Sequence, residues 1–383
     1  MDTSSLDTMF ILELAIILIA AVVGGQIVRR LGYPAALGEL VIGIGIGPFA
    51  LGLVRQSEIM VVFAELGAII LLFYIGMQME MDLLRKVLKP SIIIGLVGAI
   101  VPLILGYYSG LLIGLAEAES LFLGTVLMAT SLGITVRILT DLKALKTRFG
   151  MTVIGAGVVD DIFAIILLTV IIGFLQGSLH LVDAGTLVVK AIGFWIIILI
   201  VGMKFICRIL NRFSIAIENQ LILLFALGLL SAYVSGILGL STIVGAFAIG
   251  ISLTSFKGIG KVLDKSHSIY LFFVPIFFVS IGMLVNLQLF VEALVPSLII
   301  TAIAIVGKVG GCGLASILTG YSKKDSLRIG IGMSPRGEMG LIIAGIGLAS
   351  GLIGENVFSL AVVSVVLTTL IGMPALKLVM KDF

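Results

Sequence analysis

Charge is what this chain has least of. Asp, Glu, Lys and Arg make up 12% of its 383 residues, against about 25% in soluble domains. The net charge of +3 is small and dispersed, which argues against a nucleic-acid-binding surface. Cysteine is nearly absent, and Cys207 and Cys312 lie in or beside apolar runs, so neither a disulfide framework nor a zinc site is expected. The only histidines, His180 and His267, fall in stretches that read as solvated loops. No nucleophile–base pair, phosphate loop or metal motif stands out. The chain therefore does not read as an enzyme, and no cofactor is expected. Nor does any long polar stretch or Pro/Ser-rich linker interrupt it, so it reads as one membrane unit, residues 1–383, without a soluble regulatory domain.

What is present is apolar. Hydrophobic residues reach 60% and the mean hydropathy is +1.30, which predicts an all-α polytopic membrane protein. Runs of roughly 20 apolar residues match a bilayer core. Thirteen are expected, at about 9–28, 34–53, 59–78, 91–115, 120–140, 151–175, 185–207, 219–237, 239–255, 268–287, 290–318, 327–349 and 356–378. Asp2 and Asp7 precede the first run and Arg29 and Arg30 follow it, the wrong polarity for a cleaved signal peptide, so it reads as a retained helix.

With the N-terminus outside, the alternate loops that become cytoplasmic, together with the C-terminal end, hold 19 of the 24 lysines and arginines. The opposite loops hold Arg55 and a cluster of acids, Glu117, Glu119, Asp183 and Glu355. That bias obeys the positive-inside rule. It predicts an N-terminus outside and a cytoplasmic C-terminus.

The chain also resembles itself. Leu31–Ile44 (LGYPAALGELVIGI) aligns with Leu238–Ile251 (LGLSTIVGAFAIGI) at an offset of 207. Ile75–Gly76–Met77 aligns with Ile281–Gly282–Met283 at 206, and Thr130–Gly133 with Ser334–Gly337 at 204. The offset covers seven spans, an odd number, so the second copy enters the membrane upside down. Inverted repeats are the signature of secondary transporters, whose sites lie near the midplane where the repeats meet.

The fifth and twelfth spans are repeat mates, and both carry helix-weakening residues at mid-membrane. One holds Thr130, Ser131 and Gly133; the other holds Ser334, Pro335 and Gly337. Irregular backbone at that depth is tolerated only where it is buried or lines a cavity, so two crossed, discontinuous helices are expected.

Against this background, Asp160 and Asp161 stand side by side in the sixth span. A single charge at the centre of a spanning helix costs about 2.5–3.5 kcal/mol on insertion scales. Two adjacent carboxylates also repel, so a shared proton or a nearby cation is required. Lys308, flanked by Gly307, Gly310 and Gly311, is the natural partner of one of them, since successive residues on a helix point about 100° apart. Asp160 is expected beside Lys308 and Asp161 at the cation, with the Thr130 and Ser131 hydroxyls as further oxygen ligands. Arg137 and Glu338, one turn beyond the breaks, are expected to brace the crossing, although Arg336 is an equal candidate for Glu338. Glu13 and Glu39 are placed near helix ends within reach of water and read as structural; Glu65, deeper in its span, has no assigned role, with a cavity mouth as the alternative to a structural one. The methionines and aromatic runs read as packing.

Together, the stretch around Thr130–Thr135, the Asp160–Asp161 pair, Lys308 among glycines and Ser334–Glu338 resemble the NapA-type sodium/proton antiporters of the second cation/proton antiporter superfamily. The resemblance runs over essentially the whole chain. It implies a NapA/NhaA-like antiporter fold, electrogenic exchange of Na+ or Li+ for H+, and a bacterial or archaeal homodimer in the lipid bilayer. It further implies a dimer domain from spans about 9–78 and 219–287, a core from about 91–175 and 290–378, and a linker helix at about 185–207. Kef-type potassium/proton relatives carry glutamine in place of the first aspartate and a cytoplasmic nucleotide-binding domain. Competing readings are a Kef-type antiporter, a sodium-coupled organic-anion symporter, and a channel or membrane scaffold.

Overall fold

The computed structural model describes residues 3–79, 81–175, 181–212, 216–286, 293–349 and 351–380. Regular structure among them is helical, as it must be if backbone groups are to be satisfied away from water. The helices are α1 (Thr3–Arg30), α2 (Ala35–Ile46), α3 (Glu58–Gln78), α4 (Met81–Leu112), α5 (Glu117–Met128), α6 (Leu132–Asp141), α7 (Arg148–Leu175) and α8 (Leu181–Ile200). A π-helical turn at Val201–Ile206 joins α8 to α9 (Cys207–Arg212). There follow α10 (Ile217–Ile237), α11 (Thr242–Ser252), α12 (Ile259–Met283), α13 (Leu294–Leu318), α14 (Lys323–Gly332), α15 (Glu338–Ala349) and α16 (Glu355–Val379).

Ten helical stretches among the described residues are long and apolar enough to cross a membrane. Four of the expected runs are not single helices of spanning length. At 12 and 11 residues, α2 and α11 rise about 18 and 16 Å, short of a bilayer core. The run at 327–349 divides into α14 and α15 around residues 333–337. The run at 120–140 is likewise two helices, parted by extended backbone at Ala129 and Ser131, and both interruptions fall at the residues where breaks are expected. Other boundaries shift because charged residues join a helix: α4 starts ten residues early and takes in Arg85, Lys86 and Lys89.

His267 is corrected from loop to helix. It lies on α12, which begins at Ile259 ahead of the apolar run, and its exposed ring stacks on Tyr270 at 5.9 Å. His180 falls outside the described residues. Cys207 and Cys312 are buried, unlinked thiols.

Two packing groups emerge. In one, α4 packs on α5, α7 and α13, α13 on α14 and α16, and α15 on α5 and α16. In the other, α3 packs on α11 and α12, α2 on α1 and α12, and α10 on α11. Helix α8 touches α7 of the first group and α11 of the second.

The second group is joined by backbone-to-backbone contacts that require glycine. A Cβ on Gly43 would lie 2.2 Å from the Val279 carbonyl oxygen, and one on Gly282 2.1 Å from that of Leu40. A Cβ on Gly76 would lie 2.7 Å from the Phe247 oxygen, and one on Gly250 2.6 Å from that of Phe73. In the sequence repeat, Gly43 corresponds to Gly250 and Gly76 to Gly282. The α2–α12 and α3–α11 contacts therefore exchange under the repeat, as a two-fold relation between the copies requires.

Gly282→Val is expected to force α2 and α12 apart and cost about 1–3 kcal/mol, the range for overpacking a close contact. Thermal unfolding of the purified protein checks this. Gly45→Val serves as the control, because a Cβ there has nothing within 4 Å.

Candidate ion-binding site

The site begins with the way α5 stops. Its last four carbonyls have no donor within the helix, and that end carries the negative pole of the helix dipole. Buried cations from two other elements take two of these oxygens. Lys308 Nζ, on α13, donates to the Met128 oxygen at 2.6 Å. Arg336, between α14 and α15, donates to the Leu127 oxygen through Nε at 2.7 Å and also through Nη2. Its remaining donors reach the Ser334 oxygen at 3.0 Å and the Ala304 oxygen at 3.2 Å. The guanidinium is fully buried and binds backbone carbonyls.

Lys308 completes its coordination with a carboxylate. Nζ lies 2.8 Å from Asp160 Oδ1, and neither side chain has any exposed surface. Asp160 Oδ2 accepts no hydrogen bond from the described residues. Asp161 is 3% exposed on the adjacent face of α7. Gly157 lies one turn before Asp161 on that face, and a Cβ there would be 2.9 Å from Leu132, the residue after Ser131. The Asp161 face of α7 is thus turned toward the start of α6.

The two interruptions hold each other. The Ser131 N–H donates to the Pro335 oxygen at 2.9 Å. Thr130 Oγ1 donates to the Met333 oxygen at 3.2 Å and Thr135 Oγ1 to the Gly332 oxygen at 2.9 Å. Ser131 Oγ caps α6 by accepting the Ile134 N–H at 3.2 Å. Gly337 is required here, since a Cβ would sit 2.6 Å from Ile134 and 3.0 Å from Ser131 Oγ. Ser131 and Pro335 are repeat mates, so their bond joins equivalent positions of the two copies.

Asp160, Asp161, Lys308, Thr130, Ser131 and Pro335 therefore gather around one pair of breaks. Arg137 does not join them. The sequence reading braced it on Glu338, whose side chain lies outside the described residues. Instead its Nη1 donates to the Tyr270 hydroxyl at 2.7 Å, Nη2 reaches Glu39 at 3.4 Å and Nε lies 3.6 Å from Asp141. The reason is direction: α6 runs away from the break, carrying Arg137 about 9 Å toward α2 and α12. Glu39, expected near water, is buried at 4% exposure against this arginine. Glu13, also expected near water, is 5% exposed and accepts the Arg55 N–H at 3.1 Å.

A cavity of about 680 Å3 opens between Glu65, Ile243 and Ile281 of the second group and Ala164, Leu168 and Ile342 of the first. It reaches Ala164, one turn beyond the aspartates. Glu65, for which a cavity mouth is the alternative reading, lies in its lining and accepts from Thr242 Oγ1 at 3.2 Å.

Sequence reasoning left two residues without a role. Arg336 had a signal, a positive charge inside a proline-containing break, but its carbonyl partners lie on helices distant in sequence. Tyr270 had none, because an aromatic in an apolar run reads as packing.

Arg336→Gln is expected to lower stability by about 1–3 kcal/mol for each carbonyl left without a donor. Arg336→Lys should recover only part of this, since one ammonium lacks the planar fork of donors. Thermal unfolding of both variants is the measurement.

Residues 16–381 match the model of the family described as sodium/hydrogen exchanger, transmembrane. The chain is 38% identical over 375 residues to the Na(+)/H(+)-K(+) antiporter GerN of Bacillus cereus, covering 96% of this chain and 95% of that one. It is 34% identical to a Na(+)/H(+) antiporter of Enterococcus hirae, covering 96% and 97%. In fold it is similar to the sodium proton antiporter MjNhaP1 of Methanocaldococcus jannaschii, with a TM-score of 0.78 at 19% identity over 97% of this chain and 98% of that one. The resemblance drawn from the motifs is met at the level of the antiporter family. With a match over nearly its whole length, the chain belongs to the transmembrane sodium/hydrogen exchanger family.

Proposed function

We propose that this protein exchanges Na+ or Li+ for H+ across the membrane by alternating access. One observation carries the reading: a wholly buried Lys308–Asp160 pair beside a second buried aspartate, where two interrupted helices meet. A carboxylate away from water must be neutralised. Lys308 neutralises Asp160; a proton or a sodium ion neutralises Asp161. The two cargoes compete for one place, and that competition is the exchange. Sodium favours oxygen ligands, supplied by Asp161, Asp160 Oδ2, the Thr130 and Ser131 hydroxyls and carbonyls freed at the break.

Charge bookkeeping separates two modes. With Asp161 protonated and Lys308 paired to Asp160, the loaded site is neutral. If Lys308 keeps its proton when sodium replaces the proton on Asp161, the sodium form is also neutral and exchange is one for one. If sodium draws Asp160 away and Lys308 releases its proton, the sodium form carries one more negative charge. Two protons then move against one sodium and the cycle is electrogenic. We favour this second mode, because a wholly buried lysine whose carboxylate has turned to sodium is left as a buried charge without its counter-ion.

The chain would cross the bilayer thirteen times, with α5–α6 and α14–α15 each forming one broken, crossed span and the repeats inverted. The core, about 91–175 and 290–378, would move against a dimer-forming scaffold, about 9–78 and 219–287, with about 185–207 linking them. Loop charge places the N-terminus outside and the C-terminus in the cytoplasm of a bacterial or archaeal plasma membrane. Apolar side chains exposed on α1 and α10, such as Ile19 and Tyr233, suit lipid or a second copy. Potassium is a second candidate cargo, favoured by the name of the Bacillus cereus relative.

Proton flux in proteoliposomes on adding Na+, Li+ or K+, at clamped membrane potential, tests the proposal. Na+ or Li+ should drive it and Asp161→Asn should abolish it while the protein stays folded; normal exchange in that variant would sink the assignment. Thr130→Ala should weaken apparent sodium affinity more than it lowers maximal rate. Lys308→Gln should leave exchange dead or insensitive to voltage, and full voltage sensitivity there would remove lysine as a proton carrier.

A further inference from the structure

We propose that Arg137, Glu39, Asp141 and Tyr270 form a latch that closes the cytoplasmic side of the transporter and sets how much of the protein faces outward. The inference rests on the scaffold-and-core reading above. The four residues lie along the seam between the two packing groups, where α6 packs on α7 of the first and on α2 and α3 of the second. Arg137 and Asp141 lie on α6, which continues from the ion site, whereas Glu39 and Tyr270 lie on α2 and α12. Asp141 also accepts the Ala35 N–H at 3.2 Å, tying the end of α6 to the first turn of α2. A separate contact spans the same seam: Lys377, on α16, lies 4.4 Å over the ring of Tyr33, which leads into α2.

At the opposite end the seam opens. The 680 Å3 cavity separates α3 and α12 from α7 and α15. One end is held by buried charge contacts and the other is a cavity that stops one turn from the aspartates. Opening the cytoplasmic end requires α6 to leave α2 and α12, which breaks the Arg137–Glu39, Arg137–Tyr270 and Asp141–Ala35 contacts. Ser131, proposed as a sodium ligand at the break, is the N-cap of the ten-residue helix that carries the latch arginine. Displacement of Ser131 at one end of α6 is therefore transmitted to Arg137 at the other. Occupancy and opening are coupled through a single rigid element.

The test needs no knowledge of the cargo. Ser266 is fully buried one turn before Tyr270 on the same face of α12. In full-length protein carrying Ser266→Cys, the new thiol should react slowly with a membrane-impermeant maleimide applied from the cytoplasmic side. Adding Arg137→Gln, Glu39→Gln or Tyr270→Phe should speed that reaction about tenfold or more, as expected for hydrogen bonds to charged groups. An unchanged rate overturns the latch. So does an equal acceleration at the native Cys312, which is buried on α13 and reports general loosening. Sided sodium affinity is a second readout: breaking the latch should weaken it outside and tighten it inside, because apparent affinity scales with the competent fraction. Absence of sodium exchange in the unsubstituted protein would defeat the cargo assignment and leave the labelling result to decide the latch.

Discussion

Stopping a helix inside a membrane leaves carbonyl oxygens with no water to accept from. The interruption of α5 at Met128 creates that condition, and the surrounding core answers it. Lys308 arrives on α13 and Arg336 on the α14–α15 connection, each placing a cation on one of the freed oxygens. The negative helix end favours cations, but a buried cation in turn favours an anion nearby. Asp160 supplies it at 2.8 Å. The break, the two cations and the aspartate form one electrostatic unit in which removing any member exposes the rest.

That unit explains why a second carboxylate can stand at Asp161. Two aspartates against Lys308 alone would leave a deficit of positive charge, with Arg336 committed to backbone oxygens. On the proposed reading, a proton or a sodium ion neutralises Asp161. In the same reading, Arg336 keeps its charge on backbone oxygens while Asp161 and Lys308 change theirs over the cycle.

On the proposed reading, the interrupted helices also divide the labour between chemistry and motion. Ser131 caps α6 and is tied to Pro335 at the point where the two repeats meet. Ten residues on, Asp141 holds the start of α2. A helix this short behaves as a rigid rod, so one end can sense occupancy while the other binds the neighbouring helices.

How much of this was legible in the sequence depends on the range of the interaction. Hydropathy marked the apolar runs because bilayer thickness dictates their length. Asp160–Asp161, Lys308 and the residues of the two breaks stood out because each is costly in an apolar run, whatever its neighbours. The repeat offset foreshadowed the glycine contacts, since a two-fold relation acts on every copied position. Partner choice was different. That Arg137 would turn to Glu39, Asp141 and Tyr270 depends on the direction of α6 relative to α2 and α12. That Arg336 would bind carbonyls at Leu127 and Ala304 depends on three segments meeting around one break. Glu13 and Glu39 gave no sign of burial, because their place in a span says nothing about which helix covers them. The sequence by itself determined which side chains are out of place in lipid and must serve a purpose. Only the tertiary structure decided which of them meet, because pairing is set by helix direction and packing between segments far apart in the chain.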